Sequence, residues 1–231
     1  MKLQSKAGVM RINRSVFFRK TFVCPICRNK FREYRIKKSR QRIIRVDTDF
    51  ATHCDGPNPI YYTVSVCPVC GYSSTKNFTM PSSATHRKLR SVLLPSGEDF
   101  SGERTPELAI LSFQRAIVCS VLNRERAVIR AGLYLQLAWT HRFADEEDEE
   151  RINLENALKY YVEAYETDRD LTHQVPRMVY LIGELHMRLG RGREAIRWFD
   201  LLTTQYKDTA PHYVRMARER WQDFRGMHAD S

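Results

Sequence analysis

The chain has 231 residues, of which 42% are hydrophobic and 11% aromatic, and this composition excludes a disordered polypeptide. It contains no run of about 18 apolar residues and no apolar run of signal-peptide length near the first lysines, so we expect a soluble, cytoplasmic protein. The formal charge of +11 is uneven, because residues 1–90 hold 19 basic and four acidic side chains, whereas the remainder has a net charge of −4. The two halves differ chemically, and we expect a domain boundary between them.

The N-terminal half is predicted to form short strands joined by tight turns. Ile60–Val66 alternates apolar with polar or aromatic side chains, which is the period of a half-buried strand. Phe31–Ile36 and Arg42–Val46 are further strand candidates. Asp47 and Asp49 lie directly after Arg42–Val46 and are two residues apart. We interpret them as turn formers rather than as a second metal site.

The pattern changes after a connector that is rich in Pro, Ser and Gly. This connector covers residues 81–105 and is expected to contain a short helix around Ala84–Leu94. Thr105 and Pro106 then supply an N-cap and a first helical residue. The apolar periodicity from there onward predicts helices at roughly 106–122, 125–143, 152–167, 177–189, 193–206 and 211–225.

The helical half contains an internal repeat. Gly183, Ala195 and Phe199 resemble the tetratricopeptide pattern of small residues at close helix contacts, and Ala157 and Tyr161 match the last two at an offset of 38 residues. Helices of this type usually present their first helix to a concave face. That arrangement would place the following side chains in a groove for a protein partner: Arg142, Tyr180, Glu184 and Arg188.

The acidic run Asp145–Glu150 lies between the two helices of the first repeat. The alignment of the repeats requires an insertion at this point. We therefore predict that the run is a solvated loop extension rather than a specific site.

Four of the six cysteines form two Cys-x-x-Cys pairs. Cys24 and Cys27 enclose Pro-Ile, whereas Cys67 and Cys70 enclose Pro-Val and are followed by Gly71. Thiolates three residues apart in a tight turn supply two ligands of a tetrahedral zinc ion without strain. The sequence therefore predicts one structural zinc with four thiolate ligands, and four protein ligands leave no position for an activated water.

Other uses of the cysteines remain open. Cys54, next to His53, could replace one ligand, although neither residue belongs to a Cys-x-x-Cys turn, which we call a knuckle. Cys119 lies on the apolar side of a predicted helix and is expected to be a small core residue. Cys24 and Cys27 also superficially resemble a redox dithiol, but a predicted strand rather than a helix follows them. No catalytic motif with a nucleophile and an activating base occurs, so we expect a protein that is not an enzyme.

The segment Arg28–Arg45 contains nine basic residues, interleaved with Phe31 and Tyr34. Clustered cations attract phosphate backbones, which makes nucleic acid an alternative partner. The residues that would carry this contact are Lys37, Lys38, Arg40 and Arg42. Alternatively, the basic ribbon could dock on the acidic helical half.

Together, the order of motifs resembles a bacterial family known only as a domain of unknown function. The elements that carry the resemblance are Cys24–Cys27, Asp47–Phe50, Asn58–Tyr62, Cys67–Tyr72 and Leu181–Phe199. The resemblance covers residues 22–206 and implies a zinc-binding, cytoplasmic bacterial protein. It implies no activity.

These observations predict an α+β protein with three parts. A zinc-ribbon-like basic module over residues 1–80 and the connector over 81–105 precede a tetratricopeptide-like helical domain over 106–231. The predicted function is a non-catalytic, zinc-binding adaptor or scaffold that recognises a protein partner through its helices. Nucleic-acid binding by the basic module is the alternative, and a thiol-based redox sensor that loses zinc on oxidation is a weaker one.

Overall fold

The computed structural model describes residues 16–168 and 174–229, so the first 15 residues of the predicted basic module lie outside the described part. Small antiparallel hairpins precede a helical region, which confirms the α+β class. The strands are β1 (Phe17–Val23), β2 (Lys30–Ile36), β3 (Arg42–Val46), β4 (Thr52–Asp55), β5 (Ser65–Val66) and β6 (Ser73–Ser74). The helices are α1 (Ser83–Val92), α2 (Pro106–Leu122), α3 (Ala127–Phe143), α4 (Glu147–Thr167), α5 (Val175–Arg188), α6 (Gly192–Gln205) and α7 (Pro211–Ala229).

Each of the three hairpins encloses either a cysteine knuckle or the turn that contains Asp47 and Asp49. β1 pairs with β2 from Phe17↔Ile36 to Val23↔Lys30, and the first cysteine knuckle joins them. β5 pairs with β6 around the second knuckle. β3 pairs with β4 with a register shift between Ile43 and Arg45, and residues 47–51 form its turn. The strands predicted at Phe31–Ile36 and Arg42–Val46 are confirmed.

The strand predicted at Ile60–Val66 is mostly wrong. Pro59–Tyr62 forms a 3₁₀ helix, and only Ser65–Val66 is extended. Asn58 causes the difference, because its side-chain oxygen accepts a hydrogen bond from the Ile60 N–H (3.1 Å) and Pro59 fixes the next φ angle. Alternation of apolar residues is not sufficient where an Asn-Pro pair caps a helical turn.

The acidic run Asp145–Glu150 is mostly exposed, as predicted, but it is not a loop extension. Glu147–Glu150 forms the first turn of α4, where negative charge is favourable because of the helix dipole. Glu150 pairs with Arg142 (2.7 Å) and Glu146 with His141 (2.6 Å), so part of the run is bound. The six helices from α2 onward otherwise follow the predicted order, and consecutive helices pack against each other. Their likeness to tetratricopeptide repeats remains a prediction.

The hairpins and the helices share their hydrophobic cores. Val64 and Val66 pack with Phe113 and Leu137 in one cluster. Cys24, Ile26, Cys67 and Tyr72 pack with Leu89 of α1 and Cys119 of α2 in another. The cysteine knuckles are therefore completed by the first two helices, and the predicted boundaries after residues 80 and 105 remain sequence predictions. Within the described ranges, no helix is both long and apolar enough to cross a membrane.

Candidate functional site

The two cysteine knuckles have the same backbone geometry. The Arg28 N–H donates to the Cys24 carbonyl (3.0 Å) and the Cys24 N–H to the Asn29 carbonyl (2.9 Å). Gly71 and Tyr72 form the same two bonds with Cys67 (both 2.9 Å). The residue after each second cysteine has a positive φ, 64° at Arg28 and 72° at Gly71.

The four sulfur atoms form a compact cluster. Cys24 Sγ lies 3.5 Å from Cys70 Sγ, and Cys27 Sγ lies 3.5 Å from Cys67 Sγ. All four sulfurs lie within 4.8 Å of one another, which brings the predicted ligand set together. A tetrahedral zinc–thiolate site with bonds of about 2.3 Å requires sulfurs about 3.8 Å apart, whereas a disulfide requires about 2.05 Å. The spacing fits a metal ion held by four thiolates and not a pair of cystines.

The cysteine cluster packs against α1 and α2. Cys24 and Cys67 are 2% and 1% exposed, respectively. His86 of α1 contacts the Ile26 carbonyl through Nε2 (2.8 Å), which fixes the first knuckle. In the second knuckle, a Cβ atom at Gly71 would lie 2.0 Å from the Leu94 carbonyl oxygen. Glycine is therefore required at position 71 for both its φ angle and its space.

Thiol groups packed this closely shift one another's pKa values. A hydrogen bond from Cys70 lowers the pKa of Cys24 to about 5, whereas burial raises the pKa of Cys67 to about 11. The pKa of Cys70 is also raised, because its proton is shared with Cys24. Without a cation the four thiols cannot all ionise. A divalent metal would remove this conflict by binding all four as thiolates.

The remaining cysteines do not join the cluster. Cys54 lies on β4, where its sulfur accepts a hydrogen bond from the Gln41 amide (2.9 Å). Cys119 is fully buried, its sulfur accepts a bond from the Ser73 N–H (3.4 Å), and burial raises its thiol pKa to about 11. Cys119 is thus a core residue next to the cluster. Neither Cys54 nor His53 replaces a ligand in the four-cysteine group found among the described residues.

A second constellation is the turn between β3 and β4, which we call the acidic turn (residues 47–51). The Asp47 N–H donates to the Ala51 carbonyl (2.8 Å), and the Phe50 N–H donates to the Asp47 carbonyl (2.9 Å). Phe50 has a φ of 74°, which is strained for a residue with a side chain. Its ring packs against Tyr180 (5.6 Å between centroids), and the Arg177 guanidinium lies over it at 5.0 Å.

The carboxylates of the acidic turn bind cations of the helical region. Asp49 is fully buried, accepts hydrogen bonds from Arg142 (2.7 Å) and the Trp139 indole N–H (3.0 Å), and forms an ion pair with Arg188 (3.2 Å). Asp47 binds the same Arg142 at 2.8 Å. Burial alone would raise the pKa of Asp47, but hydrogen bonds from His53 and Arg142 outweigh it and lower that pKa.

The four residues predicted to receive a partner bind this turn of their own chain. Arg142 and Arg188 hold Asp49, and the Tyr180 hydroxyl donates to the Thr48 carbonyl (2.9 Å). Glu184 is fully buried and pairs with Arg188 (3.1 Å) and Arg220 (2.7 Å). These residues therefore meet around the acidic turn, where Tyr180 and Glu184 are fully buried. Their role in binding a protein partner stays a prediction.

The basic residues predicted to contact nucleic acid are exposed. Lys37, Lys38 and Arg40 lie in and beside a 3₁₀ turn and form no ion pair within the described residues. Arg42 pairs with Asp55 at 3.7 Å, and both side chains are mostly exposed. Elsewhere in the basic segment, Arg35 pairs with Glu33 (3.0 Å) and Arg45 with Asp47 (3.2 Å).

A groove not predicted from the sequence lies where the hairpins face the helical region. Its volume is about 1050 Å³, and residues of both regions line it, including Phe18, Lys20 and Lys76 on one side and Gln136 and Arg177 on the other. No local sequence pattern identifies it, because its walls come from segments far apart in the chain.

The fold and the four-cysteine cluster define an α+β protein with a candidate metal site. The chain belongs to the family DUF2225, described as "Uncharacterized protein conserved in bacteria", whose model matches residues 17–224. No curated protein and no solved structure matches the chain significantly.

Proposed function

We propose that this protein is a non-catalytic, zinc-stabilised adaptor that binds a protein partner in the groove between its hairpins and its helices. Zinc is the metal of choice because it accepts four thiolates in a tetrahedron and forms closed, structural sites with them. The role of the metal is to fix the two knuckles, and with them the wall of the groove that β1 and β2 form.

The groove is the observation that carries the proposal. Its volume of about 1050 Å³ is at the upper limit of small-molecule pockets, which hold about 300–1,000 Å³. Exposed apolar side chains lie at its rim, with Phe18 42% and Val23 59% exposed. An exposed apolar rim of this kind is typical of protein interaction sites. The acidic turn covers Tyr180 and Glu184, which were predicted to contact the partner. We therefore place the partner in the groove between the hairpins and the helices instead.

Site-specific photo-crosslinking in living cells tests the adaptor function. A photoreactive residue replaces Phe18 in the groove, and as a control it replaces Trp221 on α7, which has a similar exposed fraction (39%). We expect a discrete protein adduct from position 18 and none from position 221. The Cys67→Ser variant should lose the adduct, because the knuckle then no longer fixes β1. Equal adducts from both positions, or none from position 18, would refute the proposed function.

Nucleic-acid binding is the second candidate, because Lys37, Lys38 and Arg40 are exposed and unpaired in the described structure. If they neutralise phosphates, affinity for oligouridylate must fall steeply between 50 and 200 mM salt. The triple change to Glu should then abolish binding without changing the zinc content. We expect weak binding, because Phe31 and Tyr34 lie on opposite faces of β2 and contact different rings, Phe22 and Phe17.

A further inference from the structure

The groove has a one-sided charge. Six basic side chains line it, and no acidic side chain of the described residues does. Two of the six are already neutralised, since Arg35 pairs with Glu33 (3.0 Å) and Arg126 with Asp168 (3.2 Å). The four that form no ion pair within the described part of the chain are Lys20, Lys38, Lys76 and Arg177. An occupant that complements this surface must carry negative charge.

Two aromatic side chains of the groove, Phe22 and Trp139, are poorly placed to stack on nucleic-acid bases. The Phe22 ring is stacked on Phe31 (5.7 Å between centroids), and the cations of Arg35 and Lys20 lie over it at 4.7 and 5.3 Å. Trp139 is fixed by its bond to Asp49. Single-stranded nucleic acid gains much of its affinity from free aromatic faces, and these two rings do not offer them, whereas Phe18 at the rim is exposed.

The apolar part of the lining suits amino-acid side chains instead. Val23, Ile36, Val128 and Ile129 line the groove between the cations. Aliphatic walls give a sugar–phosphate backbone little to contact, whereas they bury apolar side chains of a peptide. The groove is therefore complementary to a peptide in which carboxylates alternate with apolar side chains.

The acidic turn shows that this part of the molecule binds such a chain. Asp49 is held by Arg142 and Arg188, and Phe50 packs beside it on Tyr180 under the Arg177 guanidinium. Arg177 and Trp139 contact the acidic turn and also line the groove, so the acidic turn lies next to the groove. The internal ligand is thus a chemical model for an external one.

We infer that the partner segment that binds in the groove is an extended acidic peptide with apolar or aromatic side chains between its carboxylates. This inference rests on the proposed function and specifies the partner's chemistry. Lys20 and Lys76 bind the carboxylates at the rim, and the aliphatic walls bury the side chains between them.

Fluorescence polarisation on the full-length protein tests the inference with three labelled probes. The first is a 12-residue peptide in which Asp and Glu alternate with Leu and Phe, the second has Lys in place of the acids, and the third is a 12-nucleotide oligouridylate. The double variant Lys20→Glu, Lys76→Glu removes groove cations. The matched control, Lys207→Glu with Arg218→Glu, makes the same change in net charge at exposed sites outside the groove.

We expect the acidic peptide to bind in preference to the other probes and the groove variant to weaken it at least tenfold, while the control changes affinity less than twofold. Equal losses in both variants, or no binding of the acidic peptide, would overturn the inference. Tighter binding of the oligouridylate, lost in the groove variant, would identify a nucleic-acid groove and overturn it too. A protein adduct at position 18 without acidic-peptide binding would leave the adaptor function intact and refute only the acidic partner.

Discussion

Asp49 is the residue on which the contact between the β3–β4 hairpin and the helices depends. It is fully buried, and its carboxylate forms ion pairs with Arg142 and Arg188. The carboxylate also accepts hydrogen bonds from the Trp139 indole N–H and from the Ala51 N–H of the same turn (3.2 Å). Buried ion pairs contribute little net stability compared with apolar residues, but removal of one partner leaves an uncompensated charge. Asp49 therefore determines where the hairpin sits.

The first prediction is that Asp49→Asn destabilises the protein by about 3–5 kcal/mol, because Arg142 and Arg188 lose a buried counter-charge. Urea unfolding followed by tryptophan fluorescence measures the change. The control is Asp55→Asn, which removes the exposed 3.7 Å pair with Arg42 and should cost at most about 1 kcal/mol. Equal small losses in both variants would show that the acidic turn is not held as described.

The second prediction concerns pH. Hydrogen bonds from His53 and Arg142 lower the pKa of Asp47 in the folded state, while an unfolded aspartate titrates near about 3.9. The carboxylate thus contributes stability that is fully present above about pH 4 and is lost as the pH falls through the folded-state pKa. The difference in unfolding free energy between wild type and Asp47→Asn should shrink as the pH falls below about 4. A difference that grows below about pH 4 would contradict this sign.

At the scale of elements, Gly71 of the second knuckle and Gly56 directly after β4 form a matched pair. Gly71 and Gly56 both have positive φ (72° and 94°), but a Cβ atom would meet the Leu94 carbonyl at Gly71 and nothing within 4 Å at Gly56. Gly56→Ala should cost about 1–2 kcal/mol from backbone strain alone. Gly71→Ala should cost clearly more and lower the metal content, measured by thermal unfolding and elemental analysis. If the two variants behave alike, the knuckle tolerates displacement from Leu94.

The elements that the sequence predicted well are those determined by local chemistry. Thr105 and Pro106 start α2, and the apolar period of the later helices gives their order. The cysteine spacing identified the four residues of the cluster. Ile60–Val66 was misassigned because the Asn58 cap changes the backbone locally. β1 was not predicted as a strand of its own, since its mixed basic and aromatic side chains carry no clear alternation.

The contacts that the sequence could not predict are between elements far apart in the chain. Asp47 and Asp49 were correctly interpreted as turn residues, but their insertion among α3 and α5 depends on where the β3–β4 hairpin packs. Arg142 and Arg188 were expected in a concave groove, but not that residues of the same chain would bind them. The open groove likewise exists only after the hairpins and the helices have assembled.

For the whole molecule, the hairpins join the helices at the Val64–Val66 cluster and at two further points. The cysteine cluster packs on Leu89 and Cys119, and the acidic turn binds Arg142 and Arg188. The fourth prediction is that metal removal and Asp49→Asn each loosen one point. Chelation should raise amide hydrogen exchange in β1 and β2 without changing exchange in the acidic turn. Asp49→Asn should raise exchange in the acidic turn without changing it in β1 and β2. Coincident loss at both points would mean that they form a single cooperative unit.

The most direct test of the account is the metal content of the untagged protein, purified under reducing conditions without added metal and measured by elemental mass spectrometry. Because the geometry places four sulfurs at zinc–thiolate spacing, we predict one zinc ion per chain, retained in Cys54→Ser and lost in Cys67→Ser. Zinc removal should also disorder the knuckles, since binding free energy at such a site is largely folding free energy. A folded, reduced sample that contains no metal would contradict the account.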